Sequence, residues 1–257
     1  MKNKLVLSLI VFLFLSCSSG QNNQANTSLS TCDTGILFDS FDTYPVGTLS
    51  EESDWTLGQL NYATAEAEIS SSSCFHGEKC LKAKLYNAGR YPTYYAALSN
   101  TSNCSLNQNS IPPIYIQFYI NVLDENFSVK TLFRGKKDIY FYFGQEVSIG
   151  NNIIIVERGN VSLHTWYRIE MKIDEQNIVN VKVYRENESH EIQGSTSLAD
   201  INLSSEDNAE TGSFIIRFEC IEDSNWDEQM LSDPLHFIFA VDELNISHDP
   251  AVLKTGF

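Results

Sequence analysis

Positive charge is scarce in this chain. Its 257 residues hold 17 Lys and Arg against 33 Asp and Glu, a formal net charge of −16. So acidic a surface repels phosphate backbones and anionic headgroups, which excludes nucleic acid as a partner. Helical periodicity is missing as well. No segment repeats apolar residues every 3.6 positions over several turns, so a helical bundle is excluded. The apolar run Leu5–Leu15, broken only by Ser8, is too short to span a bilayer, which takes about 20 residues. The cysteines show no CxxC spacing, and the five His, at 76, 164, 190, 236 and 248, show no metal spacing, so a zinc site is not expected.

What the N-terminus does have is an address. Lys2 and Lys4 precede the apolar run, and Phe14-Leu15-Ser16-Cys17 closes it. A basic start, a short apolar core and a small residue describe an export signal over residues 1–16. The small residue followed by Cys17 resembles the lipobox of bacterial lipoproteins, with Phe14 in place of the usual Leu. This resemblance implies that Cys17 carries the acyl chains (palmitate among them) and anchors the protein to the membrane. Ser18 rather than Asp follows it, which points to the outer membrane of the cell envelope. Residues 17–31 are the lipidated Cys and an uncharged Ser/Asn/Gln tether with little to bury. Residues 32–257 remain for one domain.

Period-2 alternation recurs along that domain, the signature of half-buried strands. Candidate strands are 36–41, 79–86, 93–98, 114–122, 139–143, 152–157, 166–174, 178–184, 214–220 and 235–247. Asn- and Gly-rich turns separate them. The polar stretch 195–212 is expected to hold a long loop or a short helix. The spacing predicts an all-β fold, a two-sheet antiparallel β-sandwich or jelly roll.

Six cysteines in an exported chain suggest disulfides. Cys74-Phe75-His76-Gly77-Glu78-Lys79-Cys80 brackets a turn, so Cys74–Cys80 is the favoured pair. Among Cys32, Cys104 and Cys220 at most one further pair can form.

Three stretches are similar to the concanavalin A-like (laminin G-like) jelly roll. They are Phe38-Asp39-Ser40-Phe41-Asp42-Thr43-Tyr44-Pro45-Val46-Gly47 with Trp55, Trp166-Tyr167-Arg168-Ile169-Glu170 with the strand ending at Tyr184, and Ala240-Val241-Asp242-Glu243-Leu244-Asn245-Ile246. The resemblance implies that the last strand lies beside the first. It also implies glycan-directed function, since the superfamily includes lectin-like modules, glycan hydrolases and polysaccharide lyases. The Glu-x-Asp-x-x-Glu of its laminarinase-type hydrolases is missing, and Gln117 is followed by Phe118 and Tyr119 rather than by the Gln-x-His of alginate-lyase relatives.

The alternation puts Tyr115, Gln117, Tyr119 and Asn121 on the face opposite Ile114, Ile116, Phe118, Ile120 and Val122. With Tyr140, Tyr142 and Arg217 they form the expected glycan site, an open shelf of rings that stack on sugars and of amides and a guanidinium that bond to them. In the alternative, a lyase, Tyr119 or Tyr142 is the acid/base while Gln117 and Arg217 neutralise a uronate carboxylate. A structural or adhesive lipoprotein that binds a protein partner is the third reading. Oxygen ligands at alternate positions make Asp223, Asn225 and Asp227 a candidate calcium loop. Asp39 or Asp42 beside Asp242 is a second calcium candidate. The basic run 130–137 is expected to be a solvated turn, with acidic polysaccharide as the functional alternative.

Overall fold

The structure is a computed structural model. It describes residues 37–49, 53–60, 64–86, 95–100, 113–124, 127–133, 139–143, 146–149, 153–157, 159–187, 191–197, 214–220 and 237–253. Export signal, Cys17, tether, Cys32, Cys104 and the Asp223/Asn225/Asp227 loop all lie outside the described residues.

Sixteen strands are described, every pairing among them antiparallel. They form two sheets. In the first, the order is β14 (Glu191–Ser197), β13 (Ile178–Arg185), β12 (Trp166–Ile173), β7 (Ile114–Val122), β16 (Phe239–Ser247), β5 (Cys80–Tyr86), β4 (Thr64–Ser70) and β2 (Gly47–Thr48). A ninth strand, β1 (Leu37–Asp39), pairs with the second half of β16. The second sheet runs β11 (Ile153–Val156), β10 (Val147–Ile149), β9 (Ile139–Phe143), β8 (Phe127–Phe133), β15 (Phe214–Cys220), β6 (Tyr95–Asn100) and β3 (Trp55–Leu60). The expected two-sheet antiparallel sandwich is the fold observed. Its first and last strands lie side by side through Leu37↔Ile246, Phe38↔Asn245 and Asp39↔Leu244.

One core lies between the sheets. Ile114, Ile116, Phe118, Ile120 and Val122 of β7 meet Val129, Phe143, Val147, Ile149 and Ile216 of the second sheet there. Every second residue of a strand faces this layer, and each large apolar side chain so buried contributes about 1.5–3 kcal/mol.

Several strands were not expected. β4 reads Thr-Ala-Glu-Ala-Glu-Ile-Ser, whose Ala65 and Ala67 face the core with too little apolar bulk to stand out. β8 takes up Lys130 and extends to Phe133, so the start of the basic run 130–137 is strand and not turn. Arg134, Lys136 and Lys137 lie outside the described residues. β14 reaches Ser197, into the stretch read as loop or helix.

Candidate functional site

The outer face of the nine-stranded sheet is built by register. Residues directly opposite on paired strands share a face. Ser247, Tyr115, Lys172 and Asn180 form one rung across β16, β7, β12 and β13. Asn245, Gln117, Glu170 and Lys182 form the next, and Asp242, Tyr119, Arg168 and Tyr184 the third. A fourth runs through Lys82, Ala240, Asn121 and Trp166. Apart from Ala240, every position is polar, charged or aromatic, while the alternate residues fill the core. A β-bulge between Asp242 and Asn245, with Glu243 at φ 43°, keeps this register while Leu244 stays in the core.

The row Tyr115, Gln117, Tyr119, Asn121 is therefore on the predicted face, but it is not an open shelf. Tyr115 is half-buried, whereas Gln117 and Tyr119 have no exposure and Asn121 keeps 5 %. For Tyr119 the cover is visible. The β4–β5 hairpin loop, Ser71 to Lys79, folds back so that Phe75 stacks on the Tyr119 ring at 4.3 Å. Phe75 also meets Trp166 at 5.8 Å, and His76 stands edge-on to Tyr119 at 5.3 Å. Tyr119, Trp166, Cys80 and Ala240 thus make a small second apolar cluster outside the main core. Burial pushes the Tyr119 phenol up to about 12.

Three anchors fix this loop. The expected Cys74–Cys80 disulfide closes it, with Cα atoms 5.4 Å apart. Asp242 Oδ2 accepts from the backbone N–H groups of Phe75 (3.0 Å) and His76 (2.9 Å). Asp42 Oδ1 accepts from those of Glu78 (2.8 Å) and Lys79 (2.9 Å). Gly77, at φ 63°, passes so close to the Asp42 carboxylate that a Cβ there would overlap it.

These bonds already engage the carboxylates of the second calcium candidate, Asp39 or Asp42 beside Asp242. Asp242 is spent on the loop and on the Glu243 N–H (2.8 Å). Asp39 pairs with Leu244 and faces the core side, where it accepts from Trp55 Nε1 (2.7 Å), Tyr44 OH (2.9 Å) and the Phe41 N–H (2.8 Å). Asp39 and Asp242 are on opposite faces of the sheet. Desolvation outweighs the donors at both, raising Asp39 to about 6 and Asp242 to about 7. Among the described residues, no group of three His, Cys, Asp or Glu could hold a metal.

Tyr140, Tyr142 and Arg217 do not join the row. They belong to β9 and β15 of the second sheet, where Arg217 pairs with Lys130 and Lys130 with Tyr142. Tyr142 alternates with core-facing Phe143, so it looks away from the sandwich on the side opposite Tyr115. Period-2 alternation names a face of a strand but not the sheet that strand enters.

Beside the covered row, β7, β12 and β13 keep part of the outer face accessible, as Glu66 and Lys84 do on β4 and β5. Tyr115, Glu170, Lys182 and Tyr184 are half-buried, and Lys172 and Asn180 are exposed. The Arg168 guanidinium lies 4.0 Å over the Tyr184 ring and 3.2 Å from Glu170, which also accepts from Gln117 Nε2 at 3.3 Å. Lys172 Nζ lies 6.0 Å over Tyr115. Tyr184 and Lys182 were not among the expected site residues. Their signal was available in the alternation of β13 against core-facing Val179, Val181 and Val183.

No family model matches this chain, and no curated protein does. Among solved structures, it is similar to the endo-β-1,4-glucuronan lyase of the fungus Trichoderma reesei, at 12 % identity and TM-score 0.44 over 76 % of this chain and 90 % of that one. It is similar to a GH131 β-glucanase catalytic domain from Podospora anserina, at 10 % and 0.44 over 70 % and 78 %. It is also similar to β-agarase A from Zobellia galactanivorans, at 11 % and 0.47 over 83 % and 90 %. Likenesses this distant carry no argument about activity, and the sandwich rests on its own strand pairing.

Proposed function

We propose that this chain is a lipid-anchored module of the bacterial cell envelope, held by Cys17 and facing its ligand with the outer side of the nine-stranded sheet. The ligand is glycan, and the module performs no chemistry of its own. The observation that carries this is the pair of accessible rings, Tyr115 and Tyr184, at opposite corners of a ladder of amide and charged side chains. Pyranose rings offer apolar faces to aromatic side chains and hydroxyls to amides and charged groups, and this surface presents both. Tyr119 drops out of the contact surface because Phe75 occupies its ring face.

The same geometry disfavours the lyase alternative. A tyrosine base needs a phenol pKa lowered toward neutrality, whereas burial raises that of Tyr119 to about 12, and Tyr142 stands on the other sheet from Gln117. Affinity electrophoresis through polysaccharide gels tests the binding. Tyr184→Ala is expected to lose at least half of the retardation and Tyr142→Ala, on the other sheet, none. Equal loss from both, or no retardation on any polysaccharide, refutes the site. Appearance of unsaturated uronate absorbance would reinstate the lyase, and capture by envelope or matrix protein without glycan would favour adhesion. For the anchor, Cys17→Ala is expected to abolish palmitate labelling. Calcium on Asp223, Asn225 and Asp227 belongs to the same proposal, and EDTA is expected to lower the melting temperature.

A further inference from the structure

The second rung of the outer face does not stop at β16. Beyond Asn245 it continues to Phe38 of β1, which pairs directly opposite. Phe38 alternates with Asp39, on the core side, so its ring stands on the outer face, where it keeps 37 % exposure. Across Asn245 lies Tyr115, half-buried, the diagonal neighbour set by the pairs Asn245↔Gln117 and Ser247↔Tyr115. Two accessible rings thus flank one amide side chain.

That amide lacks a partner. Asn245 is 5 % exposed, and its Nδ2 hydrogens find no acceptor among the described residues. Its neighbours are engaged: Gln117 Nε2 donates to Glu170 at 3.3 Å, and Ser247 Oγ accepts from the Asp249 N–H at 2.9 Å. The Phe75 loop is seated on the other rungs, over Asp242, Tyr119 and Trp166. A buried donor without an acceptor carries its full desolvation penalty, which an oxygen arriving with a ligand removes. The terminal torsion of an asparagine is soft and roughly two-fold, so the amide can turn toward such an oxygen.

We propose that Phe38, Asn245 and Tyr115 form a sugar subsite on the β1 side of the glycan surface, with Asn245 donating to a hydroxyl or ring oxygen of a pyranose held between the two rings. This rests on the glycan reading above and extends that site from β13 to β1. The contacts are one donated hydrogen bond and two apolar ring faces, so the sugar held here needs no charge. Phe38 and Tyr184 stand four inter-strand spacings apart, about 19 Å, so a single chain touching both is an oligosaccharide of several units lying across the strands.

The test uses the full chain in detergent, run through gels carrying hydroxyethylcellulose, xylan, galactomannan or polygalacturonate. On a gel that retards the parent, Phe38→Ala is expected to bind about fivefold more weakly, the scale of one aromatic contact. Val46→Ala, which removes an exposed apolar side chain outside the rung, is expected to bind as the parent does. Asn245→Ala is expected to weaken binding by a similar factor without lowering the melting temperature, since it deletes a donor that the free protein does not satisfy. Parent-like binding by Phe38→Ala, or equal loss from Phe38→Ala and Val46→Ala, overturns the subsite. Parent-like binding by an Asn245→Ala protein that melts lower makes the amide structural and overturns its role. In each of these cases, retardation of the parent that Tyr184→Ala reduces leaves the glycan reading standing. No retardation of the parent on any of the gels overturns both.

Discussion

Removing one ring tests whether the hairpin loop seals the outer face. In Phe75→Ala the stack on Tyr119 (4.3 Å) and the contact with Trp166 (5.8 Å) disappear. A fully buried Phe→Ala change costs about 3–5 kcal/mol. Phe75 is half-buried, and the loop keeps its disulfide and both carboxylate anchors, so a loss of about 2 kcal/mol is expected. For a domain of this size that lowers Tm by roughly 4–8 °C. The local consequence is sharper. Trp166, now 6 % exposed, meets water, whereas Trp55 at 2 % stays in the main core. Acrylamide quenching of tryptophan fluorescence, in a Trp226→Phe background, is therefore expected to rise in Phe75→Ala. In Phe75→Leu, which keeps an apolar cover, it is expected to rise much less. A melting temperature within about 1 °C of the parent, together with unchanged quenching, would show that Phe75 does not cover this cluster.

Other expectations follow from the same coordinates. Replacing Cys74 and Cys80 together by Ser opens a loop whose ends are 6 residues apart, and loop entropy alone predicts a loss of about 2 kcal/mol in denaturant unfolding; no loss would mean that the carboxylate anchors hold the loop unaided. Asp39 and Asp242 have folded-state pKa values raised from 3.8 to about 6 and about 7. Their favourable contribution is complete below about pH 4 and is lost as pH rises through those values, so stability is expected to fall from pH 5 to pH 8, by about 1.4 kcal/mol for Asp39 alone. Urea unfolding across that range checks it, and stability that rises with pH contradicts the sign. Asp39→Asn is expected to flatten the portion of the slope near pH 6.

Much of the fold could be read from alternation, because burial of one strand face is a local property. β7, β12, β13, β15 and β16 each carry a full apolar stripe and were placed within a residue or two, save that β16 begins later than its run suggested. β4 escaped because alanines supply its inner face, and β8 because charge and apolar residues mix in one short run. The pairing of first and last strands came from resemblance and not from pattern. No periodicity in either strand specifies its neighbour.

The site was legible only as far as single strands go. Tyr115, Gln117, Tyr119 and Asn121 do share a face, but which strands flank them depends on pairings set across the whole chain, and these bring in Arg168, Lys172, Lys182 and Tyr184 while sending Tyr142 to the far side of the sandwich. Nor does alternation reveal what covers a face. Tyr119 reads as an outward ring because it alternates with Phe118, and it is outward, yet Phe75, distant in sequence, spends its own ring on it. The Cys74–Cys80 spacing was visible in the sequence as a hairpin staple. Its further effect, setting Phe75 beside Cys74 and over the sheet, depends on Asp242 taking up the Phe75 and His76 amides from across the face. A buried carboxylate raised to about 7 is tolerated where it is because those amides have no strand partner in the loop. The cover over Tyr119 and Trp166 is thereby set in part by one acidic side chain in the last strand.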